Sequence, residues 1–100
     1  MTNLAILAQF TAKPGKEAEV EAFLKSALPL ANQEAGTVVW FALKLSPSVF
    51  GIFDAFADEA SRQAHLKGPI AAALMEKAGE LLVGPPDIKM VDILADKLAN

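Results

Sequence analysis

The run of six apolar residues at positions 38–43 (VVWFAL) constrains the fold of this chain more than any other feature. Side chains of a β-strand alternate between the two faces of its sheet, so a strand with one face in water alternates apolar and polar residues. This run does not alternate, which predicts a strand that is covered on both faces. The chain must therefore find apolar cover for both sides of its sheet.

The residues on either side of this run predict two more strands. We expect strands over 37–45 and 49–56, because both segments are rich in Val and aromatic residues, and the Ser-Pro-Ser sequence at 46–48 joins them as a hairpin. A shorter apolar run at 4–10 predicts the first strand, which the turn sequence KPG at 13–15 closes.

Two helical regions and a last strand complete the chain. Apolar residues recur at helical spacing over 16–35, where Pro29 is expected to kink or restart the helix. Asp58 is expected to cap a short helix, and Pro69 to start a second helix that runs to about residue 82. A Gly-Pro-Pro sequence then precedes the last strand, expected over 88–94.

The predicted element order is β-α-β-β-α-β, which is the ferredoxin-like α+β arrangement of one antiparallel sheet with both helices on one face. Residues 1–100 form a single domain, since no linker or repeat interrupts them. The other face of the sheet is open although its strands are apolar. The simplest cover is the same face of a second copy, so we predict a homodimer that packs two sheets face to face through this open face.

Composition excludes several classes of function. The 9 Lys and Arg residues against 12 Asp and Glu residues leave a net charge of −3 and no basic stripe, so we expect no nucleic-acid partner. The absence of Cys excludes disulfides and thiolate chemistry, and a single His is too few for a zinc site. No apolar run approaches the ~20 residues needed to span a bilayer, and no signal peptide is evident, so we expect no membrane partner and a cytoplasmic protein.

The hairpin loop predicts which side chains share a sheet face. If Leu45 faces Val49, the opposed pairs are Trp40–Asp54, Ala42–Ile52 and Val38–Phe56, and these six residues form one surface. A lone carboxylate under the helices would cost several kcal/mol. We therefore expect Asp54, and this surface with it, on the open face of the sheet, where a cavity can be wet.

Three polar residues and one tryptophan are candidates for a site. Asp54 is either a base or hydrogen-bond acceptor in a pocket, or a solvated or backbone-satisfied carboxylate. His65, the sole histidine, titrates near neutrality and is either a general base or a structural residue. Trp40 either packs in the core or stacks on a substrate. Arg62 either binds an anionic substrate oxygen or is a solvated helix residue.

Four motifs resemble the antibiotic biosynthesis monooxygenase family, in the dimeric α/β-barrel superfamily. They are AKPGK at 12–16, EAG at 34–36, FDAFADEA at 53–60 and QAHL at 63–66. The resemblance implies a dimeric barrel and a cofactor-independent monooxygenase that acts on quinols or other polyphenols. In such an enzyme a base removes a phenolic proton, and the electron-rich anion reduces O₂ directly.

The resemblance also bears on single residues. Members commonly carry Glu where Asp54 stands and Trp where Phe56 stands. In characterised members Asn, Tyr and Arg assist catalysis; Ile52 stands where such an Asn falls, and this chain has no Tyr.

These residues lead to a hypothesis for the site. We expect a small apolar pocket between the sheet and the helices of each subunit, binding a small aromatic molecule without metal or cofactor. His65 is the expected general base, and Asp54 orients it or binds a substrate hydroxyl. Trp40 and Phe56 are expected to sandwich the ring, with Ile52 and Arg62 as further substrate contacts. The alternatives are an isomerase-type enzyme that needs no O₂, and a small-molecule-binding dimer without catalysis.

Overall fold

The chain folds around one four-stranded antiparallel sheet in the order β2-β3-β1-β4. The computed structural model describes residues 3–98. Its elements are β1 (Leu4–Thr11), α1 (Glu17–Ser26), α2 (Leu28–Asn32), β2 (Thr37–Lys44), β3 (Val49–Phe56), α3 (Glu59–Leu66), α4 (Pro69–Leu81) and β4 (Asp87–Asp92). The predicted ferredoxin-like α+β arrangement is confirmed, and within one chain the sheet is open, not closed into a barrel. Within residues 3–98, every helix is too short or too polar to cross a membrane.

The helix boundaries follow from local chemistry. Pro29 lies in the first turn of α2, where a missing N–H is tolerated, so the first helical region divides into α1 and α2 as expected. The Asp58 side chain accepts a hydrogen bond of 2.8 Å from the backbone N–H of Ser61, which caps α3. Pro69 is the first residue of α4. Helix α2 ends at Asn32, short of the predicted end at 35, and this difference shapes the site.

The hairpin register is confirmed over most of its length. Trp40 pairs with Asp54, and Ala42 pairs with Ile52. The expected pairing of Val38 with Phe56 is wrong, because Thr37 pairs with Phe56 and the register shifts between Thr37 and Val39. Such a bulge leaves one residue of the strand without an opposite partner, and Val38 is 51% exposed.

The expected location of Asp54 on the open face is also wrong. Asp54 is fully buried on the helix-covered face, and its neighbour Ile52 belongs to the main core with Val20 of α1 and Leu74 of α4. The expectation treated the carboxylate as a lone charge, whereas α3 supplies a partner for it in His65. Burial of a charge is tolerated when the charge is paired. Asp54 therefore lines a cavity between the sheet and the helices, where a pocket was expected, although Asp54 itself was expected on the other face of the sheet.

The opposite face of the sheet carries apolar side chains that the chain only partly covers. Phe41 is 54% exposed, and Leu7, Val39, Leu43 and Phe53 are half-buried. A cavity of about 270 Å³ lies between this face and the C-terminal segment at 93–98. We call the surface formed by these five residues the open face.

Candidate active site

Asp54 occupies the centre of the sheet. Its strand β3 lies between β1 and β2, where Ile6 and Trp40 are the residues that pair with Asp54. Its side chain is 1% exposed, so water cannot solvate the carboxylate. The charge of this residue depends on what the protein places beside it.

His65 supplies that neighbour. The residue lies on the buried side of α3, and its ring Nε2 is 2.8 Å from Oδ2 of Asp54. The ring Nδ1 is 2.7 Å from Oε1 of Glu34. One imidazole therefore stands between two carboxylates that come from different parts of the chain, and both of its nitrogens are engaged.

Glu34 is a site residue that the sequence reasoning did not identify. It follows α2 in the turn that leads to β2, and the early end of α2 releases it from the helix. The Thr37 hydroxyl donates a 2.7 Å hydrogen bond to the same Oε1 that contacts His65. The EAG motif at 34–36 indicated this turn. The motif alone does not predict that the Glu34 carboxylate contacts a residue on α3.

Gly36 allows that turn to approach α3 closely. A Cβ at Gly36 would overlap the side chain of Ser61. Only a glycine permits this contact without a shift of the backbone or of α3. The close approach brings Glu34 to the ring of His65.

The pKa of His65 is raised above its ordinary value of 6.5. Burial of the ring acts in the opposite direction and lowers the pKa, but the contact with the Asp54 carboxylate and its charge, followed by the hydrogen bond and charge of Glu34, outweigh burial. A neutral imidazole carries one N–H and can donate to only one of the two carboxylates, whereas an imidazolium donates to both. The arrangement favours the charged ring.

Two buried polar side chains keep an unused hydrogen-bonding capacity. Oδ1 of Asp54 and the indole Nε1 of Trp40 have no hydrogen-bond partner among residues 3–98. Oδ2 of Asp54 has His65 at ion-pair distance, but the alignment is not that of a hydrogen bond. A buried acceptor without a protein donor is a place where a ligand hydroxyl gains a hydrogen bond.

Two cavities of different character lie on either side of the imidazole. The inner cavity, of about 40 Å³, is lined by Asp54 and His65 and otherwise by apolar residues that include Ile52, Ile70 and Ile88. The outer pocket, of about 210 Å³, is lined by Glu34, Thr37, Ser61 and His65, among others. The row Asp54–His65–Glu34 thus connects an apolar interior with a surface pocket that contains several polar side chains.

Of the other expected substrate contacts, only some lie at the inner cavity. The ring centroid of Phe56 is 5.2 Å from that of His65, so this side chain supports the imidazole. Trp40 packs against both core clusters. Arg62 is paired with Glu59 and donates to the carbonyl of Ala5, and neither it nor Trp40 is among the described residues that line the inner cavity. Ile52 does line it.

Residues 3–98 contain no group of three metal-ligating side chains that could hold an ion.

The fold agrees with a family assignment from the sequence. The sequence profile of antibiotic biosynthesis monooxygenases matches residues 3–77. The chain belongs to the antibiotic biosynthesis monooxygenase family.

Solved structures extend the comparison. A protein of unknown function from Nitrosomonas europaea, NE2512, is 62% identical, with 100% of this chain and 97% of that chain covered and a TM-score of 0.96. PA3566 from Pseudomonas aeruginosa is 22% identical over 95% and 97% of the two chains, with a TM-score of 0.80. Rv0793 from Mycobacterium tuberculosis is 18% identical over 94% and 97%, with a TM-score of 0.81. The last two share the fold. A search of curated protein sequences finds no match.

Proposed function

We propose that this protein is a cofactor-independent monooxygenase that acts on a small aromatic quinol or polyphenol. The observation that carries the proposal is Oδ1 of Asp54, a fully enclosed carboxylate oxygen without a hydrogen-bond partner in residues 3–98, at an apolar cavity. A phenolic hydroxyl is the kind of group that would both satisfy this oxygen and give up its proton to it. The family assignment supports the oxygenase class.

In the proposed reaction, the substrate O–H bond breaks and the proton passes to Oδ1 of Asp54. The electron pair stays on the substrate, and the anion formed is electron-rich enough to reduce O₂ without a protein cofactor. In a quinol, a ring C–H becomes C–OH and the two phenolic O–H groups become carbonyls, which releases the four electrons that reduce O₂. One oxygen atom stays in the new hydroxyl, and the other leaves as water with the two phenolic hydrogens, one of them returned by Asp54. The protein contributes the base, an apolar surrounding and orientation.

The proposal exchanges the roles that the sequence suggested for Asp54 and His65. Both ring nitrogens of His65 face carboxylates, so the imidazole has no free lone pair directed at a substrate. Asp54 lines the cavity, and its Oδ1 has no hydrogen-bond partner among residues 3–98. We therefore assign proton acceptance to Asp54 and charge stabilisation to His65, while Ile52 contributes to the apolar wall.

Substrate binding requires the inner cavity to open. Its volume of about 40 Å³ is close to that of one water molecule, whereas a cavity on the order of 150 Å³ holds a benzene ring. The wall includes Ala71 and Leu74 of α4 and Ile88 of β4, and Ile88 is 43% exposed. An outward movement of α4 at this edge would admit an aromatic ring.

We further propose that two copies associate through the open face. Its five side chains are apolar, and Phe41 is more than half exposed in the single chain. A continuous apolar face of this kind marks an interaction surface, and an identical face related by a two-fold axis is the simplest match.

The decisive experiment is O₂ uptake with a panel of hydroquinones and other polyphenols. We expect consumption above the buffer rate, loss of that rate in Asp54→Asn, and an unchanged rate in Asp92→Asn, a matched change at an exposed carboxylate on β4. No uptake with any substrate, or full activity in Asp54→Asn, would contradict the proposal.

One alternative is supported by the same geometry. The site offers a proton acceptor, Asp54, and a charged partner for it, His65. Neither role is specific to a reaction with O₂. An enzyme that moves a proton in a small keto or enol substrate would need nothing more. Turnover of such a substrate under anaerobic conditions would favour this alternative, and tight binding without turnover would indicate a non-catalytic binding protein.

A further inference from the structure

We propose that Glu34 is a positioning residue of this site, which holds His65 as an imidazolium between two carboxylates and thereby keeps a cation beside the buried carboxylate of Asp54. The inference rests on the proposed function in that it assigns Asp54 as the base. It adds a residue that lies on the far side of the imidazole and does not line the inner cavity.

The His65 ring has a carboxylate oxygen close to each of its two nitrogens. Oδ2 of Asp54 is 2.8 Å from Nε2 and Oε1 of Glu34 is 2.7 Å from Nδ1. A neutral ring would leave one lone pair facing a carboxylate at this distance, which is repulsive. A ring with both nitrogens protonated is hydrogen-bonded to Glu34 and presents its other N–H to Asp54 at ion-pair distance, so the second carboxylate selects the charged form.

The surroundings of the ring carry the second step. The charged groups that face His65 are Asp54 from β3 and Glu34 from the turn before β2. Helix α4 and strand β1 present apolar side chains at the inner cavity, Ile70 and Ile6 among them. Arg62, on the same helix as His65, is paired with Glu59. Within residues 3–98, the imidazolium is therefore the cation that faces the Asp54 carboxylate.

The environment of Glu34 carries the third step. Its side chain is 17% exposed and faces the outer pocket, so its own charge is partly solvated. Thr37 donates to Oε1 and orients the carboxylate, and the contact of Gly36 with Ser61 fixes the turn. Glu34 thus brings a negative charge to the ring at a smaller desolvation cost than a fully buried acid would incur.

NMR titration of the imidazole tests the inference directly, because His65 is the sole histidine of the chain. In Glu34→Gln the amide oxygen still accepts from Nδ1 and from Thr37, but the charge is lost. We expect the titration midpoint of His65 to lie above 6.5 in the wild type and to fall on the order of one pH unit in Glu34→Gln. Glu76→Gln, at an exposed position on α4, is the matched control and should leave the midpoint unchanged.

Thr37→Val provides a second variant that acts in the opposite direction. Valine keeps the shape of threonine but removes the hydroxyl that shares Oε1 with His65. The carboxylate then interacts with the ring alone, so the midpoint of His65 should rise slightly. This result supports the inference even if Glu34→Gln does not fold.

A residue that only supports the fold would lower thermal stability without moving the midpoint. An unchanged midpoint in folded Glu34→Gln, or in Thr37→Val where Glu34→Gln does not fold, would overturn the inference. The titration needs no substrate. If O₂ uptake fails, the proposed function is contradicted, but the titration still tests the role of Glu34. If uptake succeeds, the alkaline limb of the wild-type pH–rate profile should move to lower pH in Glu34→Gln, together with the midpoint.

Discussion

His65 Nε2 lies 2.8 Å from Asp54 Oδ2 in a contact where the side chains are 9% and 1% exposed. Water cannot replace either partner at this depth. Loss of His65 therefore leaves Asp54 as an unpaired buried carboxylate, whereas loss of Asp54 leaves His65 paired with Glu34, and this asymmetry determines how the protein should respond to mutation and to pH.

Removing one partner should cost more stability than removing both. We expect His65→Leu to lower the free energy of unfolding by about 3–5 kcal/mol, because it leaves the Asp54 carboxylate buried and unpaired. The double variant Asp54→Leu, His65→Leu should lose less than His65→Leu alone, since no buried charge remains. Urea denaturation of both variants measures the difference. A double variant that loses the sum of the two single changes would contradict this reasoning.

The stability that His65 contributes should decline as the pH rises. The pKa of His65 is raised in the folded protein, and the unfolded ring has an ordinary pKa of about 6.5. Below that value both states are protonated and the contribution is complete; it is lost as the pH rises through the folded pKa. The difference in unfolding free energy between wild type and His65→Gln should therefore shrink from pH 6 toward alkaline pH in urea titrations. A difference that grows with pH would show that the sign is wrong.

The contact between Gly36 and Ser61 should make Gly36 intolerant of any side chain. In Gly36→Ala the added Cβ overlaps Ser61, and we expect a loss of about 1–3 kcal/mol in the free energy of unfolding. Ser61→Gly should recover part of that loss in the double variant. Gly79→Ala is the control: nothing lies within 4 Å of its Cβ, and alanine favours the helix by about 0.5–1 kcal/mol. Equal effects at the two glycines would refute the steric argument.

The open face should control the oligomeric state. Phe41→Glu places a charge at the most exposed side chain of that face, and we expect it to convert a dimer into a monomer in light scattering at micromolar concentration. Met75→Glu makes a comparable change on α4, where the side chain is 58% exposed, and should leave the dimer intact. A wild-type chain that is already monomeric, or a Phe41→Glu variant of unchanged mass, would exclude the proposed association.

The register of the β2–β3 hairpin shows what local sequence can predict. A short loop between two apolar runs limits the possible pairings, so the pairing of Trp40 with Asp54 follows from the chain itself. The pairing predicted for Val38 is wrong because a bulge shifts the register there, and the loop sequence does not determine where a bulge forms. The cap at Asp58 and the helix start at Pro69 were predicted for the same reason, since their chemistry involves only neighbouring residues.

The location of Asp54 shows where local reasoning fails. Whether a carboxylate can be buried depends on a partner, and here the partner is on another element, so an argument from the strand alone assigned the wrong face. Glu34 was missed for a related reason, because its partner His65 is remote in sequence and the two meet only when α3 lies against the turn before β2.

The amino-acid sequence by itself determined the element order, most of the strand register and the apolar character of both sheet faces, because periodicity, turn chemistry and caps act between near neighbours. Only the tertiary structure decided that one imidazole stands between two carboxylates, and therefore which side chains carry charge in the interior. The electrostatics of a buried group depend on distances of about 3 Å between residues that are far apart along the chain, and no local pattern encodes those distances.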